Sequence, residues 1–226
     1  MKWSLRKINN KIEVYFGSSL KGVYELLKEP FCHFCAHSGA TKIDCSWHHN
    51  MYGFERIYAM GKYVPVRKRA SEDLLSYHIL MFKNNANYAY PLGKGIEVTV
   101  RSMYSELLEA TLLVPIPLVS ERLKERGFNQ SLELAKVLGD SLNIPVRELL
   151  HKTRNINFQG MTWEQRKEAV KGLYVLGDNS DEAEGERVLL IDDVVASGFT
   201  VSECASALLK CNPVSVNILV AGRTLH

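Results

Sequence analysis

Residues 188–200, Val-Leu-Leu-Ile-Asp-Asp-Val-Val-Ala-Ser-Gly-Phe-Thr, constrain the fold more tightly than any other stretch of the chain. Val188, Leu189, Leu190 and Ile191 contain no polar alternation, the pattern of a strand covered on both faces, as at the centre of a parallel sheet with helices above and below. Two adjacent carboxylates, Asp192 and Asp193, close that strand. A turn of small and hydroxylated residues follows, and a helical pattern runs over 201–209. Strand, loop and helix in that order predict an α/β fold with a parallel sheet.

In open parallel sheets ligands sit beyond the carboxyl ends of the strands, where the free N–H groups and positive dipole end of the next helix face them. The turn Val195, Ala196, Ser197, Gly198, Phe199 and Thr200 suits a phosphate there. Gly198 lets the backbone come close, and the Ser197 and Thr200 hydroxyls add donors. Carboxylates beside a phosphate would repel it unless they met another group. Tandem acceptors suit a vicinal diol, so Asp192 and Asp193 are expected on two ribose hydroxyls while the loop takes the 5-phosphate. The combination resembles the phosphoribosyl pyrophosphate (PRPP) motif of type I phosphoribosyltransferases. The plainer alternative is a glycine turn whose acids cap the next helix.

The 226 residues, 46% hydrophobic and 23% charged, suit one sizeable α/β domain with an appendage. The apolar runs are strand-sized, and charges interrupt residues 1–20, so neither a membrane span nor a secretory segment is expected, and a cytoplasmic location is. Charge divides unevenly. Residues 1–70 hold 12 Lys and Arg against 5 Asp and Glu, net +7, and residues 71–226 hold 16 against 20, net −4. A basic front on an acidic body suggests a phosphodiester surface, with Lys62, Arg67, Lys68 and Arg69 as cations and Tyr58 and Tyr63 interleaved for stacking. A solvated charged face is the alternative.

That basic front also holds Cys32, Cys35 and Cys45, with His48 after them, in the pattern C-x2-C-x9-C-x2-H. Two short clips joined by a loop fit a tetrahedral structural zinc site. His49 competes with His48 as the fourth ligand, and a redox C-x-x-C or plain reduced thiols are the other readings. The division expected is a basic zinc-finger module over 1–70 and a ligand-binding α/β domain over 71–226.

Helical patterns are expected over 71–82, 98–108, 129–142 and, behind a capping box of Thr162 and Gln165, 162–171. Strands are expected over 111–114 and 214–220, the first ending in Pro115, Ile116, Pro117 and Leu118.

The strings Val-Pro-Ile-Pro-Leu at 114–118, Arg-Gly-Phe-Asn-Gln at 126–130, Ile-Pro-Val at 144–146, the Asp-Asp loop, Lys83 after Phe82 and Arg223-Thr224 together resemble the ComF (ComFC) competence family. The chain departs from the family pattern where a fourth cysteine becomes His48 and where Thr-Thr-Gly becomes Ala196-Ser197-Gly198. The resemblance implies a type I phosphoribosyltransferase-like fold behind a zinc module. It implies a pyrophosphate loop at Pro115, Ile116 and Pro117, held by an unusual peptide geometry in many such enzymes. Arg122, Lys124 and Arg126 would neutralise pyrophosphate or a nucleic-acid backbone, or form a solvated basic turn. A closing loop over 152–166 would carry Lys152, Arg154, Gln159 and Arg166, and Mg²⁺ would arrive with PRPP. The family also implies single-stranded DNA as a ligand in natural transformation, with a DNA-uptake helicase or recombination mediator as partner. The alternative is an active phosphoribosyltransferase of nucleotide or amine metabolism, amidophosphoribosyltransferase-like but lacking a glutaminase domain.

Overall fold

In a computed structural model of the chain, residues 54–64 and 74–224 are described in full and residues 5–8 and 11–14 by their backbone. Leu5–Ile8 (β1) and Lys11–Val14 (β2) pair as an antiparallel hairpin. The main sheet is parallel. Its order is β3 (Ile57–Lys62), β8 (Ser215–Arg223), β7 (Arg187–Val195), β4 (Leu112–Pro115). Beyond β4 an isolated parallel bridge from Leu113 to Val146 continues it.

The apolar run at the centre of β7 divides its side chains between two cores. Val188 and Leu190 join Val216, Ile218 and Val220 of β8 beneath α6 (Phe199–Leu208). Leu189 and Ile191 join Leu219 and Ala221 on the other face, under α1 (Leu74–Phe82), α2 (Ala89–Met103) and α4 (Gln130–Leu142). Each fully buried side chain of this kind contributes roughly 1.5–3 kcal/mol. The strand is therefore pinned on both sides and its carboxyl end is held rigidly. The short helix α3 (Ser120–Arg126) stops at Gly127, whose φ of 79° is open to glycine.

Lys152 closes β5 (Leu150–Lys152), which pairs antiparallel with β6 (Tyr174–Leu176). The segment between them carries α5 (Trp163–Ala169), capped as expected. The Thr162 hydroxyl accepts from the Gln165 amide at 3.3 Å, and the Gln165 side chain accepts from the Thr162 amide at 2.8 Å.

Three expectations differ from what is observed. Ile57–Lys62, inside the stretch assigned to the basic module, is an edge strand of the main sheet. Tyr58 is consequently 7% exposed, edge-on to Tyr104 with centroids 5.0 Å apart, and cannot stack on a base. The second helix starts at Ala89 rather than residue 98, and a 3₁₀ turn at Ser105–Glu109 follows it. β7 runs on to Val195, so both acids lie within the strand.

Candidate functional site

β7 delivers Asp192 to the carboxyl edge of the sheet, and the chain then turns through Ala196, Ser197 and Gly198 into α6. Gly198, at φ 80°, is the residue before the first turn of α6, and its carbonyl accepts from the Ser202 amide at 3.0 Å. The leading amides of a helix have no partner within it. The first residues of α6 border a cavity of about 210 Å³ lined by Asp192, Val194, Val195 and the loop residues Ala196, Ser197, Gly198, Phe199 and Thr200. Phe158, Arg166 and Val170, from the segment between β5 and β6, complete it. The far side of the loop is buttressed by the end of β8. Arg223 pairs with Val195 in the ladder, and the Thr224 amide donates to the Val195 carbonyl at 3.0 Å.

Asp192 is half-buried, and its Oδ1 accepts from the Ser131 hydroxyl at 2.8 Å and from the Asp193 amide at 2.9 Å. Burial, reinforced by the neighbouring Asp193 charge, pushes its carboxyl up to about 7. The Ser131 hydroxyl, the Asp193 amide and the Lys83 ammonium act in the opposite direction. Asp193 does not line the cavity; its Oδ1 accepts from the Val194 amide at 2.8 Å. Both acids thus take their hydrogen bonds from a hydroxyl or from backbone amides.

Several groups gather behind the loop. The Lys152 ammonium lies 5.4 Å from the Tyr174 ring centre, and burial holds it below the usual lysine range while Cys204 and Asp192 oppose that fall. Burial raises the Tyr174 phenol and the Cys204 thiol, with the Asp192 carboxylate adding to both. The Thr200 hydroxyl hydrogen-bonds Tyr174 and acts against that rise.

The prolines lie at the adjacent strand end. Pro115 pairs with Ile191, the Ile116 amide donates to the Ile191 carbonyl at 3.0 Å, and the Ile116 carbonyl accepts from the Asn129 amide group at 3.1 Å. Every peptide bond among the described residues is trans, so the unusual geometry implied for Pro115–Pro117 is not found there. Pro115, Ile116 and Pro117 flank the cavity without lining it. Arg166 does line it, its Nε donating to the Met161 carbonyl at 3.1 Å. Arg154 does not. It is exposed and donates to the Ala169 carbonyl at 3.4 Å.

Arg122 pairs with Glu125 at 3.1 Å on exposed α3, close enough to Lys152 to depress it. Lys124 is exposed on the same helix, and Arg126 donates to the Gln130 side chain at 3.1 Å. Arg67, Lys68, Arg69, Cys32, Cys35, Cys45 and His48 lie outside the described residues. Ser131, Asn129 and Tyr174 escaped sequence reasoning. Ser131 stands at the start of a helix the sequence does predict, but its partner is 61 residues away.

A phosphoribosyl transferase domain matches residues 129–223, which spans α4 through β8 and so includes Ser131, Asp192 and the loop. Competence protein ComFC of Bacillus subtilis (strain 168) is 33% identical over 129 residues, 57% of this chain and 50% of the relative. Competence protein F of Haemophilus influenzae (strain ATCC 51907 / DSM 11121 / KW20 / Rd) is 30% identical over 100 residues, 43% of this chain and 44% of the relative. The chain belongs to the ComF family. Its fold is that of the type I phosphoribosyltransferases. A further relative, the DNA utilization protein YhgH of Escherichia coli (strain K12), is 32% identical over 152 residues, 66% of each chain. The chain spans about half the length of the two competence proteins it matches. Among the described residues, no helix of this ComF-family chain is long and apolar enough to cross a membrane.

Proposed function

We propose that this ComF-family protein binds PRPP or a related phosphoribosyl ligand above β7 and handles single-stranded DNA during DNA uptake. The observation that carries the reading is the cavity itself, with Asp192 and the first residues of α6 in its wall. The α6 amides, Ser197 and Thr200 would hold the 5-phosphate, and Asp192, backed by Asp193, the ribose hydroxyls. The Pro115–Pro117 turn would face the pyrophosphate, with Arg166 above and Arg122, Lys124 and Arg126 within the same neighbourhood. Mg²⁺ would come with the ligand, bound by its pyrophosphate and hydroxyl oxygens and by water, as suits that ion's preference for substrate oxygens.

The DNA part of the reading is supported by the printed names of the relatives and by the basic charge of residues 1–70. Arg67, Lys68 and Arg69 would contact the strand, and a helicase or recombination mediator would pass it on. Three thiolates and an imidazole from Cys32, Cys35, Cys45 and His48 form a donor set suited to tetrahedral zinc.

Calorimetric titration with PRPP and Mg²⁺ tests the pocket. Binding that disappears with Asp192→Asn plus Asp193→Asn is expected, and heat that survives both changes would exclude the pocket as assigned. For DNA, affinity for a thymidine oligomer should fall steeply with salt, and the slope should flatten when Arg67, Lys68 and Arg69 become Ala. Metal analysis of purified protein should find one zinc per chain, lost with the Cys32→Ser and Cys35→Ser changes.

Phe158 and Arg166 in the cavity wall support a second reading, transfer chemistry, in which the segment between β5 and β6 would close over the ligand and exclude water. It requires pyrophosphate release from PRPP with some base or amine acceptor.

A further inference from the structure

The first turn of α4 is a run of three polar residues, Asn129, Gln130 and Ser131, only 8%, 3% and 4% exposed. Buried polar groups persist where each finds a partner, and these partners lie far off in the sequence. The Asn129 side chain works in both directions: its Oδ1 accepts from the Ser131 amide at 3.1 Å, capping the helix, and its Nδ2 donates to the Ile116 carbonyl at 3.1 Å. Ser131 donates its hydroxyl to Asp192 at 2.8 Å. Gln130 donates to the Lys83 carbonyl at 3.3 Å and accepts from Arg126 at 3.1 Å.

Capping alone does not require this choice of residues. Ser, Thr or Asp would cap α4 as well as Asn does, and the position two residues on needs no hydroxyl. Asn differs from those caps in carrying an acceptor and an amide donor together. Its donor goes to the turn at the end of β4, and the serine hydroxyl goes to the acid near the end of β7. One helix start therefore ties together two strand ends that flank the same cavity.

We propose that Asn129 and Ser131 are positioning residues: Asn129 sets the pyrophosphate-facing turn through the Ile116 carbonyl, and Ser131 sets the Asp192 carboxylate. The proposal rests on the phosphoribosyl reading above. The groups around Asp192 are Asp193 on its own strand, Lys83 after α1, Lys152 of β5, Tyr174 of β6, Cys204 of α6 and Ser131 of α4. Of these, Ser131 is the side chain that hydrogen-bonds the carboxylate directly. A donor to the ionised form favours ionisation, so removing it moves the titration upward.

The test is a PRPP and Mg²⁺ titration across about pH 5 to 9, a range that brackets the perturbed carboxyl, on wild type, Ser131→Ala and Ser131→Thr. Affinity should rise with pH as Asp192 ionises. Ser131→Ala should move the midpoint up by about one pH unit and still weaken binding by about threefold or more at the alkaline end, where the carboxylate is ionised but no longer held. Ser131→Thr should restore the midpoint. The ¹³C-carboxyl titration of Asp192 in the ligand-free protein should move in parallel, and it does not depend on ligand binding.

For Asn129, inorganic pyrophosphate is the probe. Asn129→Ser keeps a capping oxygen, adds no charge and removes the donor to the Ile116 carbonyl, so the helix should survive with a modest loss of thermal midpoint while pyrophosphate affinity falls about tenfold, the equivalent of one good hydrogen bond. Unmoved midpoints in Ser131→Ala, or wild-type pyrophosphate affinity in Asn129→Ser, would overturn the assignment while leaving the phosphoribosyl reading standing. A wild-type protein that does not bind PRPP at any pH would remove both.

Discussion

Trp163 lies against Phe199, ring centroids 4.3 Å apart and planes tilted by 55°, so the first residue of α5 rests on the first residue of α6. Phe199 is buried, whereas Trp163 is half-buried. Through this contact the segment between β5 and β6 is held above the loop, where it brings Phe158, Arg166 and Val170 to the cavity. Aromatic pairs of this kind contribute roughly 0.5–1.5 kcal/mol beyond the area they bury. Trp163→Ala should therefore speed PRPP dissociation severalfold, with Trp163→Phe nearer wild type. Stopped-flow displacement measures this, and an unchanged off-rate would show that α5 does not retain the ligand.

Asp192 gives a stability prediction with a defined sign. Its carboxyl is raised to about 7 in the folded chain, against an ordinary carboxylate value when unfolded. Between those values the folded state binds more protons, so this group's contribution to stability falls as pH rises through the window from about 4 to 7. Asp192→Asn removes that liability. The variant should melt higher than wild type at pH 8, by a margin that shrinks toward pH 5, while losing PRPP binding at pH 8. Thermal melts at the two pH values check this, and a variant less stable than wild type at pH 8 would contradict the assigned direction.

The parts of this fold legible from sequence are those whose signal is local. β7 is an apolar run, α6 follows a glycine turn, and α5 carries its capping box within four residues, so each could be placed without tertiary information. β3 is hidden because Ala59 and Gly61 are poor strand formers, held in the sheet by parallel pairing to β8. Tyr58 accordingly read as a stacking residue beside a basic run, when burial against Tyr104 is what it does. The candidate site divides the same way. The loop and its acids are contiguous, but the hydroxyl that holds Asp192 comes from residue 131, and Phe158, Arg166 and Val170 of the cavity wall come from the segment between β5 and β6. No short-range pattern links them.

The unread half of α2 supplies its own test. Gly93 and Gly95 lower helix propensity by about 1 kcal/mol each, which masks the helix from 89 onward. Gly93 is there for close approach: a Cβ on it would lie 2.5 Å from Cγ1 and 2.8 Å from Cβ of Val137 on α4. These are atoms near a stiff β-branched backbone position, so they yield little. Gly93→Ala should gain propensity and lose more to overpacking, typically about 1–3 kcal/mol, for a net destabilisation. Urea unfolding of Gly93→Ala beside Gly93→Ala with Val137→Ala distinguishes the two effects: the second change should recover part of the loss. An exposed-site stabilisation by Gly93→Ala alone would show that α2 and α4 are not in close contact there.

Gly198 offers the last separation, between backbone conformation and ligand contact. Its φ of 80° lies in the left-handed region, which costs an L-residue roughly 1–2 kcal/mol. It also lines the cavity just before the first amides of α6, where the 5-phosphate is expected. Gly198→Ala should therefore lower the thermal midpoint modestly and weaken PRPP binding by more than the same strain would predict, because Gly198 itself lines the cavity. Gly127 is the control. It too is left-handed, at φ 79°, but nothing lies within 4 Å of a Cβ added there and it is absent from the cavity wall. Gly127→Ala should cost comparable stability and leave PRPP affinity unchanged. Equal losses of affinity in the two variants would mean that strain spreads through the domain, and that the turn at Gly198 is not the phosphate seat.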